Sequence, residues 1–469
     1  MSKKVKRLYE GFKPENYDLE INLDKKNKSF TGKVKISGQK TGRPSKRITF
    51  HQKDLKFTNA KIIRHDKTDE QEIKVSRINT HNKLHEVRLH SDSLIYPGKY
   101  DVVIEFSGKI TDIMVGLYPC YFESDGKKDW LIASQFESHH AREAFPCIDE
   151  PEAKATFNLT LITDKKDKVL SNTPVKKQAE IKSSKLKTEF ETTPVMSSYL
   201  LAFVAGDIHC VEEKTKDGVI VRSWASAAQP KEFLNFANEE AIKILEFYID
   251  YFQTPFPLKK LDQVALPDFE VGAMENWGLI TYREAAMLAD PKNRSISTEQ
   301  HVAMVISHEL SHQWFGNLVT MKWWDDLWLN ESFASIVEHI ALDNLHPDWH
   351  QWEAFTSYDV IVSSNRDVYL DVQPVSLDIN HPDEIHTIFD GAIVYAKGAR
   401  LLKMLFDYIG EDAMRKGLKN YFKKHAYKNT VRDDLWHELS EASGKDINQL
   451  MTPWLIKSGR IIVAYSTTF

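Results

Sequence analysis

His308-Glu309-Leu310-Ser311-His312, followed across residues 313–330 by Glu331, is the stretch on which the reading of this chain turns. Two histidines four residues apart fall on one face of a helix, because 3.6 residues complete a turn. Imidazole nitrogen is a preferred zinc ligand, and a catalytic zinc keeps three protein ligands and one open position for water. His308, His312 and Glu331 would supply that set, with one Zn2+ per chain as the expected cofactor. Glu309 follows the first histidine and can act as general base without binding the metal.

A solvated His/Glu face on an ordinary helix would show the same residues, so the flanking sequence decides between the two. Ser297-Thr298-Glu299-Gln300 has the spacing of a capping box, Ser297 with Gln300. Val302, Val305 and Ile306 then give a buried stripe, and Gly316-Asn317 is a stop signal. A second helix is expected from Asp325-Asp326, running Leu327 to Leu345 before Pro347. Glu331 falls in its first turns, so a short loop would bring it to the histidine pair.

At 469 residues the chain is too long for one core, and two or three domains are expected. With 42% hydrophobic and 28% charged residues it reads as globular, and a net charge of −5 gives no reason to expect nucleic acid. The basic run Lys3-Lys4-Val5-Lys6-Arg7 is read as a solvated tail, since no apolar stretch follows it. No segment has the apolar length to span a bilayer, so no membrane partner is expected. Cys120, Cys147 and Cys210 fit neither a disulfide framework nor a CxxC site, which points to a cytoplasmic setting.

The first two hundred residues read as β. Tyr17, Leu19, Ile21 and Leu23 alternate with polar residues, as do Phe30, Val34 and Ile36. Similar runs lie at Tyr100 to Phe106, Ala155 to Ile162 and Tyr199 to Val204, which suggests a sandwich or saddle-like sheet with a boundary near Gly206-Asp207. Helical spacing appears over Phe233 to Phe252. After the extended piece Gln263 to Leu266 and the zinc helices, it continues to about Leu455, with loops near Asp371 to Pro382 and Lys424 to Thr430. The expected domains are 1–207, all β; 208–455, catalytic; and 456–469, a remnant.

A second motif, Gly272-Ala273-Met274-Glu275-Asn276, precedes His308. Its small residues allow another backbone to approach, as an edge strand must when a peptide pairs with it. The Glu275 carboxylate would capture a free α-amine by a charge-assisted hydrogen bond. Alone, a Gly-Ala-x-Glu string is an acidic surface turn. Five such residues just upstream of a zinc motif make chance implausible.

Together these segments resemble the GAMEN-type zinc aminopeptidases, the aminopeptidase N and puromycin-sensitive aminopeptidase group of gluzincins. The resemblance runs from about Tyr17 to about Trp454. It includes Ser134-Gln135-Phe136-Glu137, Ala141-Arg142, Phe145 to Pro151, Trp323 to Ala334, Tyr395-Ala396-Lys397-Gly398-Ala399, Asn429-Thr430 and Asp433 to Trp436. It implies a multidomain α+β fold, in which an N-terminal β-sandwich or saddle-like domain precedes a thermolysin-like α/β catalytic domain with a mainly helical second half. It also implies hydrolysis of the first peptide bond of peptides with a free N-terminus. Tyr395 matches the residue that stabilises the oxyanion, Glu275 the carboxylate that binds the substrate amine, and Glu137 a second acidic partner. Gln135 and Met274 match positions lining the pocket for the first side chain. The chain stops at Phe469, where the family usually continues with further C-terminal domains, so it is expected to lack them.

Three other readings stand beside this one. A thermolysin-like endopeptidase would have no need of Glu275. A leukotriene-hydrolase-like epoxide hydrolase fits the 272–276 and 135–137 segments less closely. A non-catalytic or incomplete peptide-binding fragment would follow from the missing C-terminal domains. Oligomeric state is not legible.

Overall fold

Alternation in the first strands has a direct structural counterpart. In the computed structural model, which describes residues 5–66, 70–182, 184–369 and 371–459, Tyr17, Leu19, Ile21 and Leu23 of the strand Phe12–Asp24 all point into the core. Tyr17 stacks on Phe157 of the neighbouring parallel strand with ring centroids 4.9 Å apart. Across the next pairs Gly32 faces Phe106, and any Cβ at Gly32 would lie 2.4 Å from that ring. The glycine is the space that the aromatic fills.

These strands belong to an eight-stranded sheet, ordered Val175–Ile181, Lys185–Phe190, Thr156–Asp164, Phe12–Asp24, Ser29–Lys40, Gly98–Lys109, Lys56–His65 and Glu70–Ile73. A four-stranded sheet holds Lys168–Ser171, Phe203–Gly206, Lys127–Gln135 and Gly116–Ser124, and a three-stranded one holds Ser45–His51, Glu86–Ile95 and Arg77–His81. A mixed five-stranded sheet follows, ordered Ile208–Lys214, Ile220–Ser226, Lys260–Leu266, Leu279–Arg283 and Ala273–Met274. The β-rich first part and the helical later part give the α+β architecture.

The helices are α1 (Asn235–Phe252), α2 (Ile296–Ser311), α3 (Trp328–Leu345), α4 (Gln351–Ser357), α5 (Asp359–Arg366), α6 (Gly398–Ile409), α7 (Glu411–His425), α8 (Arg432–Ser443) and α9 (Ile447–Ile456), with a π-helix at Gly391–Lys397. Contacts divide the chain into one unit of residues 6–242 with 257–305, and another holding 243–256 and 306–459. In the second unit Phe315 stacks on Phe333 at 4.5 Å and packs against Phe422 at 4.9 Å. The hydroxyl of Tyr248 reaches the carbonyls of Ser307 and Val337, at 3.0 and 3.2 Å, and so ties α1 to the C-terminal part of α2 and the middle of α3. Residues Trp328 to Leu342 of α3 are all buried, as expected of a helix that is apolar around most of its circumference.

Three local expectations are corrected. The N-terminal cap of α2 is Ser295, whose hydroxyl accepts the Thr298 N–H at 3.2 Å, so Ser297 lies inside the first turn. The helix also ends at Ser311, before Gly316. There the backbone widens, with Asn317, Leu318 and Val319 donating to His312, Gln313 and Trp314, and Gly316 takes φ +118°. The run Tyr199 to Val204 is a 3-10 turn, Ser198–Leu200, that enters the strand Phe203–Gly206. Of the expected remnant 456–469, residues 460–469 lie outside the described residues, as do Lys3 and Lys4. Among the described residues no helix is long and apolar enough to cross a membrane.

Candidate functional site

The last turn of α2 presents His308, the residue just beyond its end is His312, and the first turn of α3 presents Glu331. One ligand atom from each of the three lies within 4.8 Å of the others, the only such group of metal-capable side chains among the described residues. Nε2 of His308 and Nε2 of His312 are each 3.3 Å from the same Glu331 oxygen. The opposite ring nitrogens are both engaged. His308 Nδ1 lies 2.7 Å from the Glu338 carboxylate, and His312 Nδ1 lies 2.9 Å from the Phe315 carbonyl. A carbonyl can only accept, so His312 carries its proton on Nδ1, and the carboxylate selects the same tautomer in His308. Both Nε2 lone pairs are thereby left for a metal.

Two nitrogens and one carboxylate oxygen, converging at a mostly buried point, are the donor set of a catalytic zinc rather than of magnesium or calcium, which take oxygen. Burial opposes ionisation of His308, but Glu331 and Glu338 outweigh it and hold its pKa well above the usual histidine range. Burial would likewise raise the Glu331 carboxyl, but His312 and His308 outweigh it and hold it down. A divalent ion at this point would compete with protons for the same nitrogens.

Glu309 is buried on the same turn as the histidines. Tyr395 sits within the π-helix, half-buried, with its ring centroid 6.0 Å from that of His308. Sequence reasoning missed Glu338, although a signal existed. It lies seven residues after Glu331, two turns along the same face of α3.

The remaining candidates lie in the other unit. Ala273–Met274 is the outer strand of the five-stranded sheet and pairs antiparallel with Thr281 and Tyr282. The Gly272 carbonyl accepts the Arg283 N–H at 2.9 Å. Glu275 and Met274 are buried, and the Asn276 amide donates to the Thr281 hydroxyl at 3.2 Å. Gln135 ends the strand Lys127–Gln135 and is buried, while Glu137 just beyond it is half-buried. The chain therefore assembles the metal-capable triad, Glu309 and Tyr395 in one unit, and Gln135, Glu137 and Gly272–Asn276 in the other.

Comparison with known proteins divides the chain along its sequence, and the second match draws on both units. Residues 13–200 match the peptidase M1 N-terminal domain, and residues 236–454 match the peptidase family M1 domain. The chain is 47% identical over 473 residues to an aminopeptidase N of Lactococcus lactis subsp. lactis, covering 99% of this chain and 53% of that protein. It is 45% identical to an aminopeptidase N of Lactobacillus helveticus, covering 98% and 52%, and 38% identical to aminopeptidase M1-A of Oryza sativa subsp. japonica, covering 96% and 51%. The chain spans about half the length of the curated relatives it matches.

Proposed function

The chain belongs to the peptidase M1 family, and from that premise we propose that it takes part in zinc-dependent removal of N-terminal residues from peptides. The observation that carries this reading is the convergence of His308, His312 and Glu331 within 4.8 Å, with both histidine tautomers set by outer partners. Zinc held there would polarise the substrate carbonyl and lower the pKa of a bound water towards about 7.

The protein's own groups supply the rest. Glu309 takes the proton of the attacking water and returns it to the leaving amine, a role worth about 10²–10⁴ in rate. The Tyr395 hydroxyl donates to the oxyanion as charge develops. Glu275, with Glu137, holds the substrate ammonium and fixes the register, so that the first carbonyl is the one attacked. Ala273–Met274 offers an edge for the peptide backbone, with Gly272 and Asn276 shaping its ends, and Met274 and Gln135 line the pocket for the first side chain. The reading divides the chain into an N-terminal domain to residue 207, a catalytic domain 208–455 and a trailing segment 456–469. It places the activity in the cytoplasm with peptides as partners.

Hydrolysis of free and N-acetylated aminoacyl substrates tests the proposal, alongside metal analysis and a Glu309→Ala control. Turnover of free substrates only, with one zinc per chain, is expected. Equal cleavage of the acetylated substrates would remove the exopeptidase reading, and protein purified without zinc would remove the metal site.

A further inference from the structure

Tyr395 stands on an unusual support. The segment Gly391–Lys397 is a π-helix, a rare geometry that occurs mostly as single-turn inserts and frequently at functional sites. At its start the Asp390 carboxylate accepts the Ala392 N–H at 3.0 Å with one oxygen and the Arg366 Nε–H at 3.2 Å with the other. At its end Lys397 Nζ donates to Asp367 at 2.8 Å and to the Gly459 carbonyl at 3.0 Å. The Asp367 and Lys397 side chains are only 5% and 6% exposed. Arg366 and Asp367 are consecutive residues at the end of α5, so one short stretch grips both ends of the π-helix. Its middle is pinned from α3, where the Ser332 hydroxyl, adjacent to Glu331, donates to the Val394 carbonyl at 2.5 Å. The following Gly398 lies so close that a Cβ there would sit 1.9 Å from that same hydroxyl.

We infer that Lys397 and Asp367 are positioning residues for Tyr395: their buried pair, carried on to Gly459, sets where the tyrosine hydroxyl stands relative to the metal centre. The inference rests on the proposed hydrolytic role of Tyr395. Lys397 itself is turned into protein, bound to Asp367 and Gly459, and acts through the helix that it closes. A catalytic group displaced by about 1 Å loses on the order of a hundredfold in rate. The loss falls on kcat, because binding of the ground state does not depend on this hydroxyl.

The test is a double-mutant cycle on the zinc-loaded protein, pairing Lys397→Met with Tyr395→Phe. Lys397→Met is expected to lower kcat by roughly ten- to a hundredfold with KM changed less than about twofold. Tyr395→Phe should then cost much less in the Lys397→Met background than in the wild type. Additive losses, or a change confined to KM, would overturn the inference. The neutral pair Asp367→Leu/Lys397→Met separates folding from positioning, since it removes both buried charges together. Recovery of the melting temperature without recovery of kcat supports the inference, and recovery of both refutes it. Wild-type protein without turnover would refute the proposed function itself. The clamp is then read by amide exchange, where Lys397→Met should speed exchange at residues 391–398 and leave 302–310 unchanged. Unchanged exchange at 391–398 overturns it.

Discussion

Two clusters in this chain each set a buried carboxylate among nitrogen groups and end in opposite states. In the five-stranded sheet, Asp262 sits among Arg222, Lys260 and Trp224. Arg222 donates to both of its oxygens at 2.6 and 2.8 Å, Trp224 Nε1 to one at 3.0 Å, and Lys260 lies 2.7 Å from the other. Lys260 spends its other N–H groups on the carbonyls of Ser171 and Gly278. An ammonium has three donors, and all three are placed. At the end of α2, Glu331 sits between His308 and His312, but there the outer partners take the Nδ1 side of each ring and leave both Nε2 atoms facing one point. A closed cluster can only hold a fold together. A cluster whose remaining lone pairs converge has capacity left for a ligand.

The largest expected effect breaks the two clusters apart outright. Removal of metal by a chelator should abolish peptide hydrolysis, and added zinc should restore it, measured as turnover of a free aminoacyl substrate; activity that survives complete zinc removal would place the chemistry elsewhere. Glu309→Gln should lower kcat by about 10²–10⁴-fold with zinc content unchanged.

On the closed side, Asp262→Ala leaves the buried Lys260 and the half-buried Arg222 without their carboxylate. It should cost about 3–5 kcal/mol in denaturant unfolding. A loss near zero would mean that the cluster is not structural. Smaller is the effect of Glu338→Gln, which weakens the orientation of His308 and should reduce zinc affinity by roughly 10–100-fold in competition with a chelator.

The smallest effect is a pH dependence. Burial pushes the Asp262 carboxyl up, but Lys260 and Arg222 outweigh it and hold the pKa below the usual carboxylate range. Its folded value is therefore below its unfolded value of about 4. The stabilisation is fully present above that unfolded value and is lost as pH falls through the folded one. The stability gap between wild type and Asp262→Asn should thus narrow in acid, and a gap constant with pH would contradict the assignment. Burial also lowers the pKa of Lys260, so the intact pair contributes less than its rupture costs.

Legibility differed between regions for physical reasons. Tyr17 to Leu23 could be read because a half-buried strand repeats every two residues, and the His308/His312 pair at the end of α2 because residues on one helical face repeat every three or four. Tyr199 to Val204 could not, since a short apolar run looks alike whether it turns or extends. The cap at Ser295 was missed for Ser297, because three hydroxyl residues within four positions offer the same chemistry and only geometry chooses among them.

By itself the sequence determined the candidate groups: two histidines one turn apart, a glutamate on the next helix, a second glutamate beside them and a glycine-led strand upstream. Those follow from residue type and spacing, which are local. Tertiary structure alone decided which nitrogen of each imidazole faces the metal point, because Glu338 and the Phe315 carbonyl fix the tautomers. It also decided that Tyr395 rides on a π-helix held by Arg366, Asp367 and Ser332. Hydrogen bonds between residues distant in sequence depend on how helices pack, and no periodicity in the chain records that.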